Sequence, residues 1–307
     1  MTMEKNTNAG KHAFLIMAHT QKDLLLRLLD RLDNDRVDVF LHLDIKSSIS
    51  ADELPELKHS KLYITPRINV SWGSFSCIEA EMLLLQQAAC RDHYAYYHYI
   101  SGQDYPLCGI EDILRTYDET PGVNYISYKD DEAAAHYDRL TLWYPFQQKV
   151  GRDRGILYYA QRVLNKFQIV LKLFRRIPKE TGFGSAFFDI TDDFARWIVE
   201  NWPKWIKVYR STFCGDEMCF QTLFRIYQKE NNVPQTALCS PDCTDHGTIN
   251  KAEIAIRRAI DWKRGNPYVW TASDFDLLMS SGCLFARKMD ETKSSGLLDL
   301  LDKAATA

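Results

Sequence analysis

An α/β fold with an open, mostly parallel sheet is predicted by short apolar runs that alternate with amphipathic stretches through the first half of the chain, and by the polar residues that close those runs. Ala13-Phe-Leu-Ile-Met17 is short and uniformly apolar, as a strand covered on both faces must be. Leu24, Leu25, Leu28, Leu29 and Leu32 then recur at helical spacing, which gives one apolar face to lay on the sheet. Val37-Asp-Val-Phe-Leu-His-Leu43 reads as the second strand and Leu62-Tyr-Ile64 through Val70 as the third. A helix is expected from Ser76 to Ala89, then strands at Tyr96 to Ile100 and Asn124 to Ile126. In such sheets ligands bind outside the carboxyl ends of the strands.

Polar residues collect at those ends. The first strand stops at Ala18-His19-Thr20, the second at His42-Leu-Asp44-Ile-Lys46, and the Tyr96 strand at Ser101-Gly-Gln-Asp104-Tyr-Pro-Leu107. Singly these are ordinary turn formers, and His42 is equally a satisfied core histidine; three strand ends at one edge point to a site.

Farther on, Phe213-Cys-Gly-Asp-Glu-Met-Cys-Phe-Gln-Thr-Leu-Phe224 places Asp216 and Glu217 at the start of a helix whose Phe220, Leu223, Phe224 and Tyr227 face inward. Acids in a first turn commonly cap free N–H groups and complement the helix dipole. Beside apolar walls the same carboxylates can also take a proton during a reaction.

Composition narrows the functional classes. The 307 residues are 46% hydrophobic and carry a formal net charge of −3, which supports one large core and gives no global attraction to nucleic acid. A single domain over 11–292 is expected, with a disordered 1–10 and a C-terminal tail over 293–307. No apolar run is long enough to span a bilayer, and the polar start lacks the order of a signal peptide, so a cytosolic location is expected. Of eight cysteines, Cys77, Cys90, Cys108, Cys214, Cys219 and Cys283 sit among apolar neighbours and are expected as free thiols. Cys239, Cys243 and His246 offer only three ligands, thin for structural zinc.

Residues 151–179 interleave Arg152, Arg154, Arg162, Lys166, Lys172, Arg175, Arg176 and Lys179 with Val163, Phe167, Val170, Leu171, Phe174 and Ile177. This predicts a basic amphipathic helix, either lying on the inner face of an anionic membrane or forming a lid with a solvated basic face. Gly184-Ser185-Ala-Phe-Phe-Asp-Ile190 follows as a strand, and Thr191-Asp-Asp as a helix start. Near the end, Arg257-Arg258, Lys263-Arg264 and Arg287-Lys288 sit beside aromatics and apolar residues, a setting suited to a phosphate or to a surface charge cluster. No Gly-x-Gly-x-x-Gly follows the first strand, which argues against a nicotinamide-dependent oxidoreductase.

Taken in order, seven pieces resemble glycosyltransferase family 14, the core-2/I-branching N-acetylglucosaminyltransferases and related peptide O-xylosyltransferases. They are Ala18-His19, His42-Leu-Asp44-Ile-Lys46, Trp72-Gly73-Ser-Phe-Ser76 with Glu79-Ala80, Ser101-Gly102-Gln-Asp104-Tyr-Pro-Leu107, Gly184-Ser185-Ala-Phe-Phe188, Gly215-Asp216-Glu217, and Leu284-Phe-Ala-Arg287-Lys288. The resemblance implies a GT-A-like fold and inverting transfer of a sugar, N-acetylglucosamine foremost, from a UDP-sugar to a glycan hydroxyl without a bound metal. By that resemblance Glu217 matches the general base and Lys288 the cation facing the leaving diphosphate. Asp44 and the strand end near His19 match the nucleotide pocket, and Trp72, Gly73, Ser101, Gly102, Asp104, Gly184, Ser185 and Asp216 the sugar-binding region.

Where metal-dependent enzymes of this fold hold an Asp-x-Asp, this chain has His42-Leu-Asp44, one carboxylate for a cation that wants several oxygens. Asp274-Phe-Asp276 spells the motif but reads as a capped helix start. Counting back from Lys288 leaves Arg264, Arg258 and Arg287 as candidates for a second phosphate contact, Arg264 foremost. The acceptor region, Asp130 through Arg139, has no clear match. A chain expected to carry neither anchor nor disulfides suits a bacterial enzyme building a cell-surface polysaccharide. A xylosyltransferase and a catalytically silent glycan-binding protein are the alternatives.

Overall fold

The computed structural model describes residues 10–234 and 243–306. Its main sheet has six strands in the order β3-β2-β1-β4-β7-β6: β1 (His12–Ala18), β2 (Val37–Leu43), β3 (Lys61–Ile64), β4 (Tyr96–Ser101), β6 (Tyr125–Ile126) and β7 (Phe188–Thr191). β3, β2, β1 and β4 run parallel, and β7 is antiparallel to both of its neighbours, so the α/β fold with a mixed, mostly parallel sheet is as expected. A smaller sheet, β5 (Tyr105–Pro106), β9 (Phe285–Arg287) and β8 (Arg258–Ile260), lies beyond the end of β4.

Alternation along β1 explains the layers. Phe14 and Ile16 face one core with α1 (Lys22–Leu32), whose five leucines are buried as the spacing predicted. Ala13 and Leu15 face the other, formed by α2 (Phe75–Arg91), α8 (Asp192–Tyr209) and α9 (Asp216–Asn231). The third strand stops at Ile64 rather than running to Val70, and α3 (Ile110–Asp118) falls unpredicted between β5 and β6. Three short helices follow, α4 (Asp130–His136), α5 (Asp138–Thr141) and α6 (Gln147–Val150).

The basic segment differs most from expectation. Only Ile156–Val170 is helical (α7), and 173–187 is irregular or turn. Gly151 lies at φ 52°, a left-handed conformation that favours glycine, so Arg152 stands in a loop and not on the helix. Past α10 (Lys251–Ala255) and α11 (Phe275–Met279), residues of the expected tail form α12 (Ser295–Ala305). Its Leu297, Leu298 and Leu301 are buried, and Asp302 takes hydrogen bonds from Arg27, Arg31 and Tyr105. The expected disordered stretch up to residue 9 and the candidate ligand Cys239 fall outside the described residues; Cys77, Cys90, Cys108, Cys214, Cys219 and Cys283 are free.

Candidate active site

The carboxyl ends of β1, β2 and β4 meet the end of β9, and this brings His19, Asp44, Ser101 and Lys288 into one region. Asp44 organises the edge. Its Oδ1 accepts the Lys46 amide at 2.8 Å and its Oδ2 the Val70 amide at 3.2 Å, while the Lys46 ammonium sits 3.3 Å from Oδ2. His19 is exposed beside it. Desolvation by its surroundings holds the imidazole below the usual range, with Asp44 opposing and Lys288, Arg287 and Lys46 adding to the effect.

Arg287 is held in place by the β4 end. Its guanidinium donates to the Ser101 hydroxyl and reaches Asp104 Oδ2 at 3.3 Å, over the ring of Phe187. Asp104 is fully buried and also accepts the Ser101 amide at 2.7 Å. Ser101 and Asp104 therefore orient an arginine instead of facing a ligand. Gly102 is required by close approach, because a Cβ there would meet the Ala18 Cβ at 2.8 Å, just before His19.

Lys288, next along the chain, is half-buried and its ammonium pairs with no carboxylate among the described residues. Burial depresses its pKa, and the nearby charges of Arg287 and Arg152 depress it further. Three cations are gathered here, with Asp104 against Arg287 and Asp290 opposing the effect on Lys288, a setting suited to an anion.

The two other arginines suggested by the sequence have different work. Arg258 is 0% exposed and binds Asp189 through both terminal nitrogens, at 2.6 and 3.1 Å, so it cannot touch a ligand. Cations beside aromatics look alike in sequence whether they face a cleft or a buried carboxylate. Arg264 is neutralised by Asp261 and by Asp274, the latter at 2.7 Å, and lies over Tyr268 and Trp270. Asp274 in turn closes a capping box with Thr271, the structural role expected of it.

Sequence reasoning missed Arg152 as a site residue. Its guanidinium lies 5.2 Å from the Trp72 ring, and its charge bears on both Lys288 and Cys214. Trp72 is 45% exposed and rests edge-on against Phe213. Gly73 permits that packing: at φ 68° a side chain is strained, and its Cβ would meet Phe213 at 3.0 Å.

Glu217 lies at the other end of this run, in the first turn of α9. Its Oε2 accepts from Arg139, which is stacked between Phe183 and Phe213. The Glu217 carbonyl accepts the Gly184 amide at 2.9 Å, and a Cβ on Gly184 would collide with the Ser127 carbonyl oxygen at 2.0 Å. Gly184 and Ser185, whose amide bonds the Ser127 hydroxyl at 2.9 Å, thus fix the backbone behind Glu217. The signal for Arg139 was weak, since its partner is 78 residues away.

Beside Glu217 the partly buried acid Asp216 stands near a second carboxyl in the interior. Burial first, and then the Glu217 charge, push the Asp216 carboxyl up to about 7, and its Oδ1 has no hydrogen-bond partner. Glu81 is also buried and held well above its usual range by burial and by Asp216. Glu81 was legible as a carboxyl on the apolar stripe Ile78–Met82–Leu85 of α2, whereas Glu79 is exposed.

A raised carboxyl pKa means the folded chain takes up a proton between the ordinary 3.8 and about 7, so stability is greatest below that window and falls as pH rises through it. Asp216→Asn is expected to flatten the fall in melting temperature between about pH 4 and about pH 7. An unchanged slope in thermal denaturation would show that Asp216 does not titrate there.

The sequence profile of the Core-2/I-Branching enzyme family matches residues 12–276. The chain belongs to this family. It is accordingly a glycosyltransferase, which requires a nucleotide-sugar donor and a glycan acceptor. Among solved structures, mouse xyloside xylosyltransferase 1 in its apo form is similar over 90% of this chain and 96% of its own, at 12% identity and a TM-score of 0.36. TarS 1–349 of S. aureus is similar over 61% and 48%, at 11% identity and a TM-score of 0.27. No curated protein matches the chain.

Proposed function

We propose that this branching-family enzyme transfers a sugar, with N-acetylglucosamine expected, from a UDP-sugar to a glycan hydroxyl by single in-line displacement with inversion. The observation that carries this reading is Lys288: a half-buried ammonium without a carboxylate partner, flanked by Arg287 and Arg152, at the strand ends. A leaving diphosphate supplies the missing negative charge, and fixed cations stabilise it as it departs. Opposite them, Arg139 takes Oε2 of Glu217 and leaves Oε1 to receive the acceptor's proton. Trp72, exposed between these poles, offers an apolar face on which a sugar ring can stack.

The same cations argue for metal-independent transfer. At the place of an Asp-x-Asp, the Asp44 carboxylate already accepts two backbone amides and faces Lys46, so it is a poor ligand for a hard divalent ion. Incubation with UDP-N-acetylglucosamine in excess EDTA is expected to release UDP at the full rate. Lys288→Ala is expected to weaken UDP binding by about 1.5–3 kcal/mol, roughly a 10–100-fold rise in Kd by calorimetry. Unaltered UDP affinity in that variant, or activity restored only by Mn²⁺, would remove the basis of the reading. UDP-xylose in the same assay tests the xylosyltransferase alternative.

A further inference from the structure

Helix α7 is turned inside out. Its buried residues are glutamines: Gln161 and Gln168, 5% and 3% exposed, bond the backbone of Trp143 and, for Gln161, the amide of Phe146. Leu157 and Leu164 are half-buried, but the other large apolar residues face solvent, with Val163 68% and Val170 77% exposed. Ile156, Tyr159, Val163, Phe167 and Val170 recur at three- and four-residue intervals, so they form a single outward stripe about 21 Å long. Leu171, Leu173 and Phe174 continue it, also exposed. Amphipathic periodicity reveals that such a stripe exists but not which side of the helix the protein covers.

The surroundings of the stripe are cationic. Residues 151–179 hold eight Lys and Arg against one Asp, in a chain whose net charge is −3. Arg154, Arg162, Lys166, Lys172, Arg176 and Lys179 are exposed, and among the described residues none pairs with a carboxylate. No helix among the described residues is long and apolar enough to cross a membrane.

We propose that α7 and the segment through Phe174 form an in-plane docking surface for an anionic lipid bilayer. The apolar stripe would enter the acyl boundary while the flanking cations meet the headgroups. Charge decides between occupants. A second copy packed on this face would bring like-charged flanks together, which costs free energy, whereas an anionic surface neutralises them all. Shape agrees, since a single-helix ridge is convex and a fluid lipid surface needs no preformed groove.

The test is co-sedimentation of the full chain with phosphatidylcholine vesicles, with and without phosphatidylglycerol. At least about a tenfold preference for the anionic vesicles is expected, weakening as salt is raised. Val163→Glu with Phe167→Glu should abolish binding, and Arg162→Glu with Lys166→Glu should erase the lipid preference. Both double variants should keep the parent melting temperature, because these positions are solvent-facing. Absence of binding to either vesicle, equal binding to both, binding untouched by the variants, or self-association in light scattering that the same variants dissolve would each overturn the proposal. The readout is lipid binding and not sugar transfer, so it stands or falls apart from the catalytic reading.

Discussion

Replacing Glu217 by Gln is expected to lower UDP release from the donor by roughly 10²–10⁴-fold while leaving UDP affinity within about twofold of the parent. Glutamine keeps the shape and one oxygen to accept from Arg139, so the placement of that guanidinium over Phe183 and Phe213 is retained although the ion pair becomes a neutral hydrogen bond. What is lost is the ability to hold a proton. In a single displacement the acceptor hydroxyl must give up its hydrogen as the bond forms, and no covalent intermediate shares the load. The cations proposed to face the diphosphate belong to other elements, Lys288 and Arg287 at β9 and Arg152 before α7, so UDP affinity is expected to be independent of the carboxylate. Initial rates with excess donor and calorimetry with UDP separate the two effects. Turnover near the parent's would remove Glu217 from the role of base, and loss of UDP affinity in step with turnover would reassign it to donor binding.

Elements were legible in this sequence wherever periodicity alone fixes them. The apolar runs of β1 and β2 and the stripes of α1 and α9 bury what their spacing implies, save that Met17 and Tyr227 are only partly covered. Side-chain partners were not. Asp104 and Arg287 lie 183 residues apart, and Arg139 and Glu217 78 apart, so nothing local announces either pair. Arg258 illustrates the ambiguity: an arginine next to aromatics reads as a phosphate ligand until Asp189, on another strand, is seen against it. The basic segment failed in a different way. Its stripe was visible, but its boundaries were set by Gly151 and its orientation by two glutamines that both donate to the Trp143 carbonyl.

Asp189→Asn is expected to destabilise the fold by about 3–5 kcal/mol, because it leaves a buried guanidinium without its counter-charge. Asp189 is 0% exposed on β7 and accepts from Arg258, from Tyr117 at 2.6 Å and from His98 at 2.9 Å. His98 and Asp189 also face each other in the β4–β7 register, and His98 stands 2.9 Å from His12 on β1. Burial alone would raise the Asp189 carboxyl, but Arg258 and His98 outweigh it and hold the group down to about 2. Its contribution is therefore present above the ordinary carboxylate range and lost only as pH falls through that low value. Because Arg258 lies on β8, the pair ties the small sheet to the large one, and Lys288 directly follows β9 of that small sheet. An asparagine retains one acceptor oxygen but no charge, so the guanidinium must unfold locally or draw in water. For a chain of this size the loss corresponds to roughly 5–8 °C in melting temperature. Replacing the pair together, Asp189→Leu with Arg258→Met, should recover only part of that loss, since no stranded charge remains but Tyr117 and His98 lose their buried acceptor. A single variant melting within about 2 °C of the parent would mean that water already reaches the pair and that the sheets are joined by apolar packing alone.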